Sequence, residues 1–247
     1  MLSLETGCAS DRGDRENNED RADVFHGGHA AALADGMGGH SGGETASRLA
    51  LEAVQQSAGN YLAPEVEVQA IPAGLQAIFA EANRRILAAA QDDLNLREMG
   101  TTLTLGLIRN TRLFFAHIGD SRLYLRRRGH CEQLTTDHTE AQELAQRGWL
   151  SPEALARSVY RHVLSRWLGT IRPVEPQLDQ CQLESGDRLL LCSDGLYGEV
   201  DEDELCTLLG AAQSAREIAK ALVAAARESG SGKLDNITAL VVKVDDS

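Results

Sequence analysis

The sequence contains an acid that ends an apolar run and is followed at once by glycines, in the stretch Asp35-Gly36-Met37-Gly38-Gly39-His40. The preceding residues, 30–34, are small and apolar, and an apolar run bounded by turn residues predicts a buried strand. Glycines directly after such a strand let the backbone turn sharply or approach a ligand closely. The Asp35 carboxylate and the Gly36 carbonyl then form a pair of hard oxygen ligands suited to Mg²⁺ or Mn²⁺. A tight turn with a solvated Asp35 is the alternative that this stretch leaves open.

Three further acids lie at one end of a strongly apolar run: Asp120 and Asp194 follow their runs, and Asp235 precedes its run. Strands packed in sheets bring such ends to one edge, where crowded carboxylates repel one another unless cations intervene. Two divalent ions about 3.5–4 Å apart remove this conflict, and a hydroxide that bridges them is a nucleophile for phosphoester hydrolysis. An all-oxygen ligand set excludes a zinc site, which His or Cys would form. Each acid alone is also compatible with a plain turn.

A segment dense in charged and turn-forming residues, 10–21, contains a candidate anion-binding side chain, Arg15. Arginine is the side chain best suited to gripping a tetrahedral oxyanion, and Arg15 precedes the pair Glu19-Asp20 at the start of a predicted strand. The alternative is a solvated loop. His26 and His29 flank two glycines, which favours a hairpin turn over a metal site.

These candidates must be positioned by strands and amphipathic helices. Apolar runs and alternation predict strands at 2–9, 22–25, 30–34, 101–108, 113–118, 121–126, 174–183, 188–192 and 237–244. Helical periodicity predicts helices at 44–57 and 71–90, and good N-caps predict helices at 201–209 and 214–227. A polar segment low in strand formers predicts two short helices at 139–147 and 152–158. Gly119-Asp120 is predicted to be a tight antiparallel connection. The polar, helical insertion 137–169 is a candidate lid, or alternatively a peripheral helix pair.

Composition limits the class of protein and of partner. The 247 residues, 43% hydrophobic and 25% charged, suffice for one large domain. A net charge of −13 argues against nucleic acid or an anionic membrane as partner, and it makes an anionic substrate unexpected unless cations reverse the sign locally. The five cysteines show no paired spacing, which predicts buried free thiols in a reducing compartment. No membrane span or signal peptide is recognisable, so a soluble cytoplasmic protein is expected.

Six motifs in order carry a resemblance to a known family: Arg15-Glu16-Asn17-Asn18-Glu19-Asp20, Asp35-Gly36-Met37-Gly38-Gly39, Gly119-Asp120-Ser121-Arg122, Asp137-His138, Ser193-Asp194-Gly195 and Asp235-Asn236. They resemble the bacterial metal-dependent Ser/Thr protein phosphatases of type 2C, from about residue 6 to residue 244. The resemblance implies an α+β fold: a four-layer α-β-β-α sandwich of two antiparallel sheets flanked by helices, in one domain spanning 1–247.

The resemblance also implies roles for individual residues. Asp35 would bridge two Mn²⁺ or Mg²⁺ ions, and the Gly36 carbonyl would bind one of them. Asp194 and Asp235 would complete the other site, and Asp120 with Asp194 would hold a third, weaker ion. Glu19 and Asp20 would act mostly through metal-bound water. Arg15 would bind the substrate phosphate.

The resemblance further implies a mobile flap over the site, at about 138–168, whose sequence is thought to affect substrate choice. Eukaryotic members often have a histidine after the Asp-Gly pair that is thought to protonate the leaving group, whereas this chain has Met37. A metal-bound water is the first candidate for the general acid, and His40 is the second.

The expected activity is hydrolysis of phosphoserine or phosphothreonine on proteins by attack of a metal-bridging hydroxide. Two alternatives are kept: a catalytically weak module that binds phosphoprotein, and a phosphoesterase for small molecules. The expected partners are phosphorylated proteins that a cognate Ser/Thr kinase modifies, with no nucleic acid and no membrane. A monomer is the default expectation.

Overall fold

The computed structural model of the chain describes residues 2–38, 42–230 and 232–246, so His40 lies outside the described residues. The strands are β1 Leu2–Asp11, β2 Asp20–Phe25, β3 Ala30–Met37, β4 Gly100–Thr101, β5 Leu103–Arg109, β6 Arg112–Ile118, β7 Arg122–Arg127, β8 His130–Gln133, β9 Gln177–Gln182, β10 Arg188–Cys192 and β11 Ile237–Asp246. The α-helices are α1 Gly42–Ser57, α2 Ile71–Asp92, α3 Glu140–Gln146, α4 Pro152–Ala156, α5 Asp194–Tyr197, α6 Glu202–Leu209 and α7 Ala215–Ser229. None of the helices in these ranges combines the length and apolar character needed to cross a membrane.

The strands form two antiparallel sheets. One sheet has the order β1-β11-β10-β7-β8. The other has the order β2-β3-β5-β6-β9, with the short strand β4 paired to β3. The first and last long strands, β1 and β11, are paired over their full length, from Leu2 opposite Asp246 to Asp11 opposite Ile237.

Three apolar clusters show that the sheets and helices form four layers. Successive side chains of a strand point to opposite faces of the sheet, so a strand of continuous apolar residues can pack on both faces. On β11, Ala239 and Val241 belong to the cluster shared with α6 and α7, whereas Leu240 and Val242 belong to the cluster between the sheets. A third cluster joins α1 and α2 to the outer face of the other sheet. The predicted α-β-β-α sandwich is therefore confirmed.

Helix α7 crosses β1 at very short range because position 7 has no side chain. A Cβ atom built on Gly7 would lie 2.2 Å from the backbone nitrogen of Arg216. The glycine therefore lets the backbone of α7 lie directly on the sheet.

The predicted tight connection at Gly119-Asp120 is wrong in its topology. It does not join two neighbouring strands, because β6 belongs to one sheet and β7 to the other. Gly119 adopts a positive φ of 107° and carries the chain from one sheet to the other. The real hairpin lies between β5 and β6, where Asn110 has a φ of 57°.

The predicted helical insertion is present and contains α3 and α4. An isolated bridge between Thr139 and Leu164 ties its two ends to each other, and a bridge between Leu168 and Thr101 ties it to the body of the protein. Buried Asn83 of α2 accepts hydrogen bonds from the backbone amides of Gly169 and Thr170 and donates one to the carbonyl of Thr170. We call residues 138–168 the flap segment.

The prediction of five buried free thiols is wrong. Cys131 of β8 and Cys206 of α6 form a disulfide, with their Cα atoms 5.7 Å apart. Cys8 and Cys181 are only partly buried, and Cys192 alone among the free cysteines is fully buried. The spacing of 75 residues gives no local signal for this pair, since strand and helix meet only in the folded chain.

Candidate metal centre

One end of the sandwich contains a cavity of about 630 Å³ that gathers most of the residues singled out in the sequence. Seven of them line it: Arg15, Glu19, Asp35, Gly36, Asp120, Asp194 and Asp235. The flap segment contributes His162, Leu164 and Trp167 to the same wall. The eighth candidate, Asp20, is buried next to Asp35, its direct partner in the pairing of β2 with β3.

Asp35 lies within β3 rather than just after it, because this strand continues to Met37. Its backbone is fixed by Thr102, whose hydroxyl accepts from the Asp35 amide at 2.9 Å and whose amide donates to the Asp35 carbonyl at 2.9 Å. The Thr102 hydroxyl also contacts Ser121 Oγ at 2.7 Å. This threonine was missed by the sequence analysis, because its role depends on contacts between strands.

Gly36 lies where a side chain has no room. Its amide donates to the carbonyl of Glu19, and a Cβ atom at this position would lie 2.1 Å from the carbonyl oxygen of Gly43 in α1. Glycine therefore lets the start of α1 approach the acid-bearing end of β3.

Asp194 is the first residue of α5, directly after β10. The preceding Ser193 is buried and donates from its hydroxyl to Asp20 Oδ2 at 2.7 Å, while it accepts from the amide of Thr238 at 3.0 Å. Ser193 thereby joins β10, β11 and the buried carboxylate of Asp20. The motif Ser193-Asp194-Gly195 contained this residue, but no local pattern indicated its partner.

Asp235 and Asn236 precede β11 and organise the loop that carries Arg15. The Asn236 side chain accepts from the amide of Glu19 at 2.8 Å and donates to the carbonyl oxygens of Arg12 and Asn17. Arg15, which is half exposed, forms an ion pair with Asp235. The guanidinium therefore lies at the mouth of the cavity, beside the acids.

Asp120 is held by a pair of buried, stacked histidines. His117 Nε2 lies 2.9 Å from the Gly119 carbonyl, and His138 donates from its amide to that carbonyl at 2.7 Å and accepts at Nδ1 from the Gly119 amide. The two rings stack with centroids 5.0 Å apart. The Gly119 peptide is thus clamped on both sides, which fixes the following Asp120. His138 was present in a motif, but its role and that of His117 were missed.

Burial and mutual repulsion dominate the electrostatics of this cluster. Burial, followed by the charges of neighbouring acids, raises the pKa of Asp35 well above its usual value. The same causes raise the pKa of Asp120 well above its usual value and that of Asp20 to about 7. Without cations the protein therefore holds several carboxylates in an environment that disfavours their charged forms.

The donor set fits hard divalent ions. The atoms that converge on the cavity are carboxylate and carbonyl oxygens, the ligands that Mg²⁺ and Mn²⁺ prefer. Asp20 Oδ1 is also buried without a hydrogen-bond partner among the described residues, which leaves an acceptor free next to the cluster. Within the described residues, Asp120, Asp194 and His162 also place ligand atoms within 4.8 Å of one another.

Comparisons with known proteins agree with this geometry. The chain matches the family described as Protein phosphatase 2C over residues 9–237. It is 38% identical over 246 residues to Serine/threonine protein phosphatase PstP of Mycobacterium tuberculosis. The aligned region covers 99% of this chain but 46% of PstP. It is 34% identical to Serine/threonine phosphatase stp of Listeria monocytogenes, over 96% of this chain and 94% of that protein. The chain thus spans about half the length of PstP and nearly all of stp.

A solved structure of the catalytic domain of PstP in complex with two manganese ions has a TM-score of 0.85 at 38% identity, with both chains fully covered. A serine/threonine phosphatase from S. agalactiae has a TM-score of 0.88 at 31% identity. The chain belongs to the protein phosphatase 2C family. Its two flanked antiparallel sheets are the fold of that family.

Proposed function

We propose that this chain is a Mn²⁺- or Mg²⁺-dependent protein phosphatase that hydrolyses phosphoserine and phosphothreonine on proteins. The observation that carries the proposal is the convergence of Asp35, Asp120, Asp194 and Asp235 in one cavity, with Arg15 at its mouth. Relatives that share about a third of the sequence are named serine/threonine phosphatases, and one of them binds two manganese ions.

The residues divide into three roles. Asp35 would be shared by two ions, with the Gly36 carbonyl on one and Asp194 and Asp235 on the other. Asp120 with Asp194 would hold a third. When bound, such ions activate water and neutralise the charge that develops on a transferred phosphoryl group. Glu19 and Asp20 lie where they would orient ligands and water.

Arg15 would bind the phosphate oxygens of the substrate, because a guanidinium offers paired donors to a tetrahedral oxyanion. When no substrate is bound, the ion pair with Asp235 keeps the Arg15 guanidinium beside the acids. Met37 lines the same cavity and carries no titratable proton, so the leaving oxygen must receive its proton from another group.

The proposal extends to the substrates, the domain organisation, the oligomeric state and the location of the protein. The substrates would be phosphoproteins modified by a cognate Ser/Thr kinase. The two sheets share one apolar layer, which supports one domain over 1–247. A monomer and a cytoplasmic location complete the proposal.

The test uses purified protein, a phosphothreonine peptide and p-nitrophenyl phosphate. EDTA should abolish hydrolysis of both and Mn²⁺ should restore it. Asp194→Ala should lower turnover by at least about 100-fold, the scale of losing one electrostatic group from an active site. Asp179→Asn, on the exposed edge strand β9, should leave turnover unchanged.

Full turnover in Asp194→Ala would overturn the proposal. Tight binding of the phosphopeptide without turnover would favour the regulatory module, and hydrolysis of the small ester alone would favour a small-molecule phosphoesterase.

A further inference from the structure

His162 of the flap segment lies over two of the acids. Its Nδ1 is 3.6 Å from Asp194 Oδ2, and ligand atoms of His162, Asp194 and Asp120 all lie within 4.8 Å of one another. Two ligand atoms on opposite sides of an ion with bonds of about 2.1 Å are about 4.2 Å apart. The His162 side chain is about half exposed, so small rotations suffice to bring these atoms onto a common ion.

The surroundings of Asp120 independently indicate a cation site. It is only 5% exposed and lines the cavity, and no other residue in the described ranges donates a hydrogen bond to its carboxylate. The charges of Asp194 and Asp137 repel its carboxylate, and the nearby guanidinium of Arg122 is already paired with Asp137. A buried carboxylate with a like charge as neighbour and no donor side chain needs a positive partner.

The backbone connects the flap segment directly to the loop of Asp120. The His138 amide donates to the Gly119 carbonyl, and the His138 carbonyl accepts from the Ser165 amide at 2.9 Å. The bridge between Thr139 and Leu164 lies beside these bonds. The Glu140 amide also donates to the carbonyl of Val163, the residue after His162, at 2.8 Å. These backbone bonds hold the part of the flap segment next to His162 close to the loop of Asp120.

Resting on the function proposed above, we propose that His162 is the flap ligand of a divalent ion held with Asp120 and Asp194, so that ion binding fastens the flap segment over the cavity. Arg161 Nε donates to His162 Nε2 at 2.8 Å, which leaves the imidazole proton on Nδ1. Ligation through Nδ1 moves that proton to Nε2, by exchange with solvent, and releases the exposed Arg161.

The added nitrogen also sets the choice of ion. Carboxylates alone suit Mg²⁺ and Mn²⁺ alike, whereas imidazole favours transition metals. This site should therefore accept Mn²⁺ in preference to Mg²⁺, and excess Mg²⁺ should displace its Mn²⁺ poorly.

The direct test is pulsed EPR of the protein loaded with Mn²⁺ alone, because a bound imidazole produces nitrogen modulation. The wild type should show this modulation and His162→Gln should lack it, while His130→Gln, at an exposed histidine of β8, should keep it. Titration should show the weakest Mn²⁺ site at least about tenfold weaker in His162→Gln, since even residues that only orient a ligand contribute 10- to 100-fold. Modulation that is absent from the wild type, or that persists in His162→Gln, would overturn the proposal.

Limited trypsin digestion reports on the flap segment. Cleavage after exposed Arg157 and Arg161 should become slower when Mn²⁺ is added to the wild type or to His130→Gln, but not to His162→Gln. Equal protection of all three proteins would refute the fastening role. Phosphatase activity is measured in parallel: activity without nitrogen modulation defeats only this inference, and modulation without activity defeats only the proposed function.

Discussion

Replacement of Asp20 by asparagine isolates the cost of burying a charge at the centre of the acid cluster. Asp20 is fully buried, accepts from Ser193 through Oδ2, and leaves Oδ1 without a partner. Asparagine has the same shape, retains an acceptor for Ser193 and carries no charge. We expect Asp20→Asn to be more stable than the wild type in the absence of metal at pH 8.

The magnitude follows from the pKa of Asp20, which burial and then the charges of Asp194 and Asp235 raise from 3.8 to about 7. At pH 8 the ionised carboxylate thus disfavours the folded state by about 4 kcal/mol. The amide of asparagine would itself lack a partner, at a cost of about 2 kcal/mol. The net gain is about 2 kcal/mol, or a rise in Tm of about 4–8 °C.

The sign of the pH dependence is fixed by the raised pKa. As pH falls through 7, the folded state takes up a proton before the unfolded state does, so the wild type recovers stability. The advantage of Asp20→Asn should therefore shrink to near zero by pH 5. Bound Mn²⁺ should also remove it, since the cations favour the ionised carboxylate.

Thermal unfolding in EDTA from pH 5 to pH 8.5 measures this difference. Asp23→Asn, an exposed acid on the same strand, is the matched control and should show no such pH-dependent gain. An advantage of Asp20→Asn that is constant across this range would refute the reasoning, as would a destabilised variant at pH 8.

Three further predictions concern stability. Asn83→Ala removes three hydrogen bonds to Gly169 and Thr170, just after the flap segment, and should lower the free energy of unfolding in urea by about 3 kcal/mol; an unchanged value would contradict this anchoring. Burial, and then the charge of His117, lowers the pKa of His138 from 6.5 to about 3, so stability is lost as pH falls below 6.5. Between pH 7 and pH 5 the free energy of unfolding in urea should fall by about 2 kcal/mol less in His138→Gln than in the wild type. The same pH dependence in both proteins would contradict this prediction. Cys131→Ser removes the disulfide to Cys206, which closes a loop of 75 residues, and should lower the free energy of unfolding by up to about 4 kcal/mol. Dithiothreitol should lower the Tm of the wild type but not that of Cys131→Ser. A wild-type Tm that does not change with dithiothreitol would disprove the disulfide.

The acids could be singled out from the sequence because each lies at one end of an apolar run, which is a local pattern. The structure brings Asp35, Asp120, Asp194 and Asp235 to one cavity, and their metal-binding roles stay a prediction. The helices α1 and α2 could be predicted from their long apolar periodicity, and α6 and α7 from their N-caps, Asp201 and Ser214. The two sheets themselves came from the family resemblance, because strand order is not a local property of the chain.

The errors have a common physical origin in contacts that are distant in sequence. Gly119-Asp120 has the composition of a hairpin turn, and only the pairing of β6 and β7 with different partners shows that it joins two sheets. Cys131 and Cys206 have no shared motif. His162 lies in an exposed segment with no motif around it, and its approach to Asp194 exists only in the folded chain.

The central claim is that the aspartates hold divalent ions in the cavity. Crystals grown with Mn²⁺ and measured at the manganese absorption edge test it directly through the anomalous difference map. The account predicts two strong peaks among Asp35, Gly36, Asp194 and Asp235. A folded protein whose map shows no manganese peak at these residues would contradict it.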